Sequence, residues 1–117
     1  MFIQFNLTSH NYTNYPCELR GKYHAKLVHI IYKDDLGAGQ HRLIRLSSTG
    51  INNLTGSYSK SILFCNTPDH AQPYDSHATF IIEANGTIDF TMESVAGGAL
   101  GTLQFACLTL EIEQLQD

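Results

Sequence analysis

Asp69, His70, Asp75 and His77 fall within nine residues and form the densest set of metal-ligand types in this chain. A zinc site needs three or four N, S or O donors converging at about 2.0–2.3 Å, oriented by outer hydrogen bonds. The spacing matches no established ligand pattern, and no His-x-His strand pair of the cupin kind is present. His, Asp and Pro are ordinary loop residues, so a solvated loop without a cofactor is the expectation. His24 and His29 are an odd number of residues apart, which places them on opposite faces of a strand and prevents joint ligation. His29 is expected to be packed or hydrogen-bonded in the core.

Covalent and acid–base chemistry finds less support. The chain has no Gly-x-Ser-x-Gly elbow, and none of Cys17, Cys65 and Cys107 has a His beside it. Cys17 follows Pro16 in a polar stretch with no base at hand. Asp34 and Asp35 are adjacent in a turn, a poor arrangement for sharing a catalytic proton. The glycine-rich stretch 96–101 lacks the following Lys-Ser/Thr and the helix that a phosphate cradle requires. It reads as a flexible connection, and an enzyme is not expected.

Contact chemistry is better represented. Tyr12, Tyr15, Tyr58 and Tyr74 lie in stretches rich in Asn, Ser, Thr and His. Rigid amphipathic rings among small polar neighbours are a common composition for a binding surface. The competing reading has each ring packing over its own loop to shield one end of the fold, and both stay open. Phe2, Ile3 and Phe5, in an apolar stripe at the start of the sequence, are core or subunit seam. Those seven residues are the candidate interface.

These side chains must be positioned by strands. Ile88, Phe90 and Met92 alternate with Asp89, Thr91 and Glu93, the period of a half-buried strand. Residues 78–93 read as a hairpin. A three-residue loop at 84–86 sets Phe80 against Phe90 and Ile82 against Ile88, whereas a two-residue loop mixes the faces, so Gly86 is expected at φ > 0 in a bulge. Strands are also expected at Phe2–Leu7, 22–32, Arg42–Ser47, 61–65 and 102–113, with 8–20, 48–60 and 66–77 as long polar loops. Along 22–32, Tyr23, Ala25, Leu27, His29 and Ile31 share one side, and Val28 and Ile30 suggest burial of the second half on both faces. Arg42 is placed on the face of Ile44 and Leu46, near an exposed end. Helix is expected to be one short turn at most. Seven or eight short strands at this spacing suit a sandwich or barrel.

Composition agrees. The 117 residues, 43% hydrophobic and 15% charged, suit one globular β-rich domain over 1–117. Seven Lys and Arg are scattered among eleven Asp and Glu for a net charge of −4, so a nucleic-acid partner is not expected. Three widely spaced cysteines point to a reducing compartment, with Cys65 and Cys107 as small core residues. Asn-x-Ser/Thr sequons begin at Asn6, Asn11, Asn53 and Asn85, but the first residues do not read as a signal peptide. No apolar run is long enough to span a bilayer, so no direct membrane insertion is expected. Synthesis in the cytosol is the expectation, with the sequons incidental to Asn- and Thr-rich loops.

Two stretches together carry a resemblance. Leu19 and Gly21 lead into Tyr23, Ala25 and Leu27, followed by the acidic turn at Asp34 and Asp35. This resembles an early strand of small viral single jelly-roll proteins. Residues 85–93 with 108–112 look like the last hairpin and closing strand of the same group, which includes penton, minor capsid and spike-head proteins of icosahedral viruses. The resemblance covers about half the chain as a strand pattern. It implies an all-β, single antiparallel jelly-roll β-sandwich that assembles by symmetry as a homo-pentamer or homo-trimer with other capsid proteins. It also implies a place in the virion after assembly in the host cytoplasm, with loops reaching neighbours, a receptor or a glycan. The alternative is a lectin-like or tumour-necrosis-factor-like head recognising carbohydrate or protein, and a cupin-type metalloenzyme comes third.

Overall fold

Alternation along most of the chain leaves backbone N–H and C=O groups to be paired sideways, and the fold is all-β. The computed structural model describes residues 1–36, 42–54, 60–66, 71–73 and 79–115. Its strands are β1 (Phe2–Leu7), β2 (Asn11–Asp34), β3 (Arg42–Ser47), β4 (Ile51–Asn53), β5 (Ser61–Asn66), β6 (Ala71–Pro73), β7 (Thr79–Ala96) and β8 (Leu103–Gln114). All pairings are antiparallel, in the order β1-β8-β2-β7-β3-β5-β6, with β4 also on β7.

The sheet folds over on itself. Phe5 of β1 meets Phe90 of β7 with ring centroids 5.0 Å apart, and Tyr32 of β2 meets Phe64 of β5 at 5.8 Å. In each case two strands intervene in the sheet order. The two layers enclose one core containing Phe5, Leu7, Leu19, Ile44, Phe64, Phe80 and Phe90. This is the β-sandwich expected from the strand pattern, built of eight antiparallel strands among the described residues.

The two long strands differ from expectation. Residues 79–96 are one continuous strand and no hairpin. Phe80 pairs with Ala25 and Ile82 with Tyr23, while Ile88 pairs with Tyr15 and Phe90 with Tyr12, all on β2. The buried residues Phe80, Ile82, Ala84, Ile88, Phe90 and Met92 keep one parity throughout. An uninterrupted strand and a three-residue loop give the same parity. Gly86 does have φ of +86°, opposite the irregularity between Pro16 and Arg20. We expect Gly86→Val to cost about 1–3 kcal/mol, because a β-branched residue resists that backbone. Urea unfolding checks it, and an unchanged midpoint contradicts the assignment.

Much of the expected loop 8–20 belongs to β2. Irregularities between Tyr12 and Tyr15 and between Pro16 and Arg20 let the strand run on. Asn14 accepts φ of 58° in the first, a conformation its short polar side chain tolerates. A further bulge between Leu27 and His29 reverses the parity of β2. Tyr23, Ala25 and Leu27 face inward before it, and Ile30, Tyr32 and Asp34 after it. Val28, His29 and Ile31 are therefore exposed, so the second half of the strand is buried on one face only. His29 is not a core residue, and it shares the outer face with His24. Arg42 is buried, not near an exposed end. Short strands β4 and β6 lie within the expected loops 48–60 and 66–77.

Candidate functional site

The parity reversal in β2 brings an acid into the core, and the inward phase of β3 brings in a base. Asp34 ends β2, Arg42 begins β3, and both side chains are 1% exposed. Arg42 Nη2 donates to Asp34 Oδ1 at 3.0 Å, and Nη1 donates to Oδ2 as well, making a bidentate pair. The amides of Gly101 (3.0 Å) and Leu36 (3.1 Å) donate to the same carboxylate. The Tyr32 hydroxyl donates to Oδ2 at 3.1 Å. Having given its proton there, it accepts from His10 Nε2 at 2.8 Å, and the His10 and Tyr32 rings stack. The His10 carbonyl accepts from the Met92 amide. Arg42 Nη1 reaches the Ala99 carbonyl at 3.4 Å, and Arg42 Nε is buried without a partner among the described residues.

Burial by itself raises the Asp34 pKa, but Arg42, the two amides and Tyr32 outweigh it and hold the carboxyl at about 2. Burial beside Asp34 pushes the Tyr32 hydroxyl well above its ordinary value of 10.0. Burial lowers His10 below 6.5, with Asp34 opposing and Arg42 adding to the shift. The Asp34 carboxylate is saturated with donors and the Tyr32 proton is held tightly, so the cluster works as a clasp. It ties the turn before β2, the start of β3 and the 97–102 connection to the end of β2.

The clasp sets an acid profile for stability. Asp34 has a depressed folded pKa, so its contribution is full above the ordinary value of 3.8 and lost as pH falls from there through about 2. His10 is also depressed, so the folded state binds fewer protons and weakens as pH drops below 6.5. Melting temperature should decline in two acid steps, and His10→Gln should remove only the upper one. A His10→Gln profile identical to the parent would contradict this.

The candidate interface residues separate. Phe2 is 67% exposed and Ile3 is half-buried, while Phe5 is 1% exposed and lies in the core. Tyr12 and Tyr15 pack edge-to-face on each other, and Tyr15 also meets Phe5 and Phe90. Their hydroxyls serve the β1 edge: Tyr15 accepts from the Asn6 amide at 3.0 Å, and Tyr12 bonds Thr8 Oγ1 at 2.8 Å. These two rings thus join β1 to the first half of β2. Tyr58 and Tyr74 lie outside the described residues, as do Asp69, His70, Asp75 and His77. Cys107 is buried, and Cys17 and Cys65 are partly so.

Sequence reasoning passed over His10, Tyr32 and the pairing of Asp34 with Arg42. The available signal was Arg42 in phase with Ile44 and Leu46, since a cation on a core face requires a buried acid nearby. Asp89 is a second anchored carboxylate, accepting from Ser48 Oγ at 3.1 Å and from the Thr49 amide and hydroxyl at 3.1 and 2.7 Å. It fastens the 48–50 turn to β7. No helix among the described residues is long and apolar enough to cross a membrane.

On the outer face of β1, β8 and β2, Phe2, Val28, Ile31 and Phe105 are exposed apolar residues. No protein-family model, curated protein or solved structure matches the chain.

Proposed function

We propose that this chain is a viral structural protein, a small single jelly-roll subunit of a penton, minor capsid or spike head. The observation that carries the reading is the nesting of the strand pairs. With β2 divided where it changes partner and the short β4 set aside, the segments pair from the ends inward. β1 pairs with β8, the first half of β2 with β7, and β3 with β5. β6 lies beside β2, and its partner Phe64 packs on Tyr32 in the second half of β2. First with last, second with seventh and fourth with fifth are hydrogen-bonded pairs, and the sixth segment lies near β2 while bonded to the fifth. This nesting resembles a long hairpin rolled into two layers, which supports jelly-roll winding.

The viral assignment is a fold-level analogy joined to the sequence resemblance. In this reading the role is structural rather than catalytic. The subunit forms a homo-pentamer or homo-trimer with other capsid proteins, in a virion assembled in the host cytoplasm. A clasped sandwich with apolar residues on one outer face suits assembly through subunit seams.

Native mass of the purified chain, by light scattering and native mass spectrometry, tests it. A discrete trimer or pentamer is expected. A monomer that binds immobilised glycans would replace this reading with the lectin-like one.

A further inference from the structure

Antiparallel pairing with β8 engages the backbone of alternate residues of β1. Met1 and Ile112 exchange both backbone bonds, N to O at 3.2 and 2.7 Å. With Ile3 opposite Leu110, Phe5 opposite Leu108 and Leu7 opposite Ala106, the odd residues face β8. The even residues aim their N–H and C=O groups outward. The Asn6 and Thr8 amides are taken by the Tyr15 and Tyr12 hydroxyls at 3.0 and 3.4 Å. Phe2 and Gln4 have no partner for their outward backbone groups among the described residues. β1 contains no charged residue and no proline, the devices that usually blunt an exposed edge.

We propose that β1 pairs with β1 of a second copy across a two-fold axis at Ile3. Phe2 then stands opposite Gln4 of the second copy, and Gln4 opposite its Phe2. Among registers that keep the two outer faces aligned, this one pairs the N–H and C=O groups of both Phe2 and Gln4 on each edge. Shifting one way brings Phe2 against Asn6, whose amide Tyr15 already holds, and shifting the other way leaves Gln4 unused. Half-buried Ile3 meets its own copy at the axis in a close, non-hydrogen-bonded pair. The uncharged edge brings no like charges together, so an edge that fits itself takes a second copy as its occupant. This contact goes beyond the capsid reading and adds a two-fold to any ring the chain forms.

Gln4→Pro tests it. The Gln4 amide points away from β8, so proline removes the intermolecular donor and leaves the β8 ladder intact. Sedimentation equilibrium across a dilution series should show the parent and Gln4→Ala pairing, and Gln4→Pro at half their mass with an unchanged circular dichroism spectrum. A parent that is monomeric throughout, or a Gln4→Pro of parental mass, overturns the proposal. A trimer or pentamer that persists in Gln4→Pro, with no doubled form in the parent, overturns this contact and leaves the capsid reading standing. If Gln4→Pro fails to fold, hydrogen exchange on the parent decides. The Phe2 and Gln4 amides should be protected when concentrated and lose protection on dilution, and fast exchange at every concentration refutes the pairing.

Discussion

Asp34→Asn should destabilise the protein by about 3–5 kcal/mol, because it leaves the Arg42 guanidinium buried without a counter-ion. The substitution hardly changes side-chain volume, so the loss reports charge and hydrogen bonding rather than a cavity. Asp34 accepts from Arg42, Tyr32 and the amides of Gly101 and Leu36, and an amide side chain lacks the charge and offers one oxygen for them. The melting temperature should drop by on the order of 10–20 °C, and urea unfolding at neutral pH should show a matching shift in midpoint. Arg42→Met should cost a similar amount, since it strands the carboxylate instead. The double variant Asp34→Leu/Arg42→Met should cost much less than the sum, because paired apolar replacements of buried ions are often neutral. Additive losses would mean that the two groups do not act as one pair.

Phe90→Ala should cost about 3–5 kcal/mol, the usual range for emptying a buried phenylalanine site. Phe90 is 1% exposed and meets Phe5 at 5.0 Å and Tyr15 at 5.9 Å, so it bridges the two layers. Phe5→Ala should cost a comparable amount. The double variant should show a coupling of about 0.5–1.5 kcal/mol, because either substitution alone already abolishes the edge-to-face pairing of the two rings. Phe2→Ala, at a position 67% exposed, should stay within about 0.5 kcal/mol in the monomer. Equilibrium unfolding of the four variants decides. A small loss for Phe5→Ala would mean that Phe5 is not the core residue its burial makes it.

These effects follow from inward phase, much of which was legible in the residues. The bounds of β1 and β3 were read correctly, because each is short, alternates cleanly and ends in turn-forming residues. The burial of Phe80, Ile82, Ile88, Phe90 and Met92 on one side of their strand was equally legible. The aromatic stretch 12–15 was harder. Its polar neighbours suggested a loop, yet bulges let Tyr12 and Tyr15 turn their rings inward while their hydroxyls bond Thr8 and Asn6. The clasp was not legible as a site. Asp34 reaches the core only because an extra residue near Val28 shifts the phase of β2, and nothing in the local pattern marks that residue.

By itself the sequence determined an all-β chain, the parity of its apolar residues, and most strand positions, because side-chain alternation is a local consequence of backbone geometry. Only the tertiary structure decided that Thr79–Ala96 runs straight, that β2 bulges three times, and that Arg42 meets Asp34 inside. The reason is that parity survives both a three-residue loop and an unbroken strand. The choice between them belongs to the partner strand, and for Phe80 and Phe90 that partner is β2, more than fifty residues away in the chain.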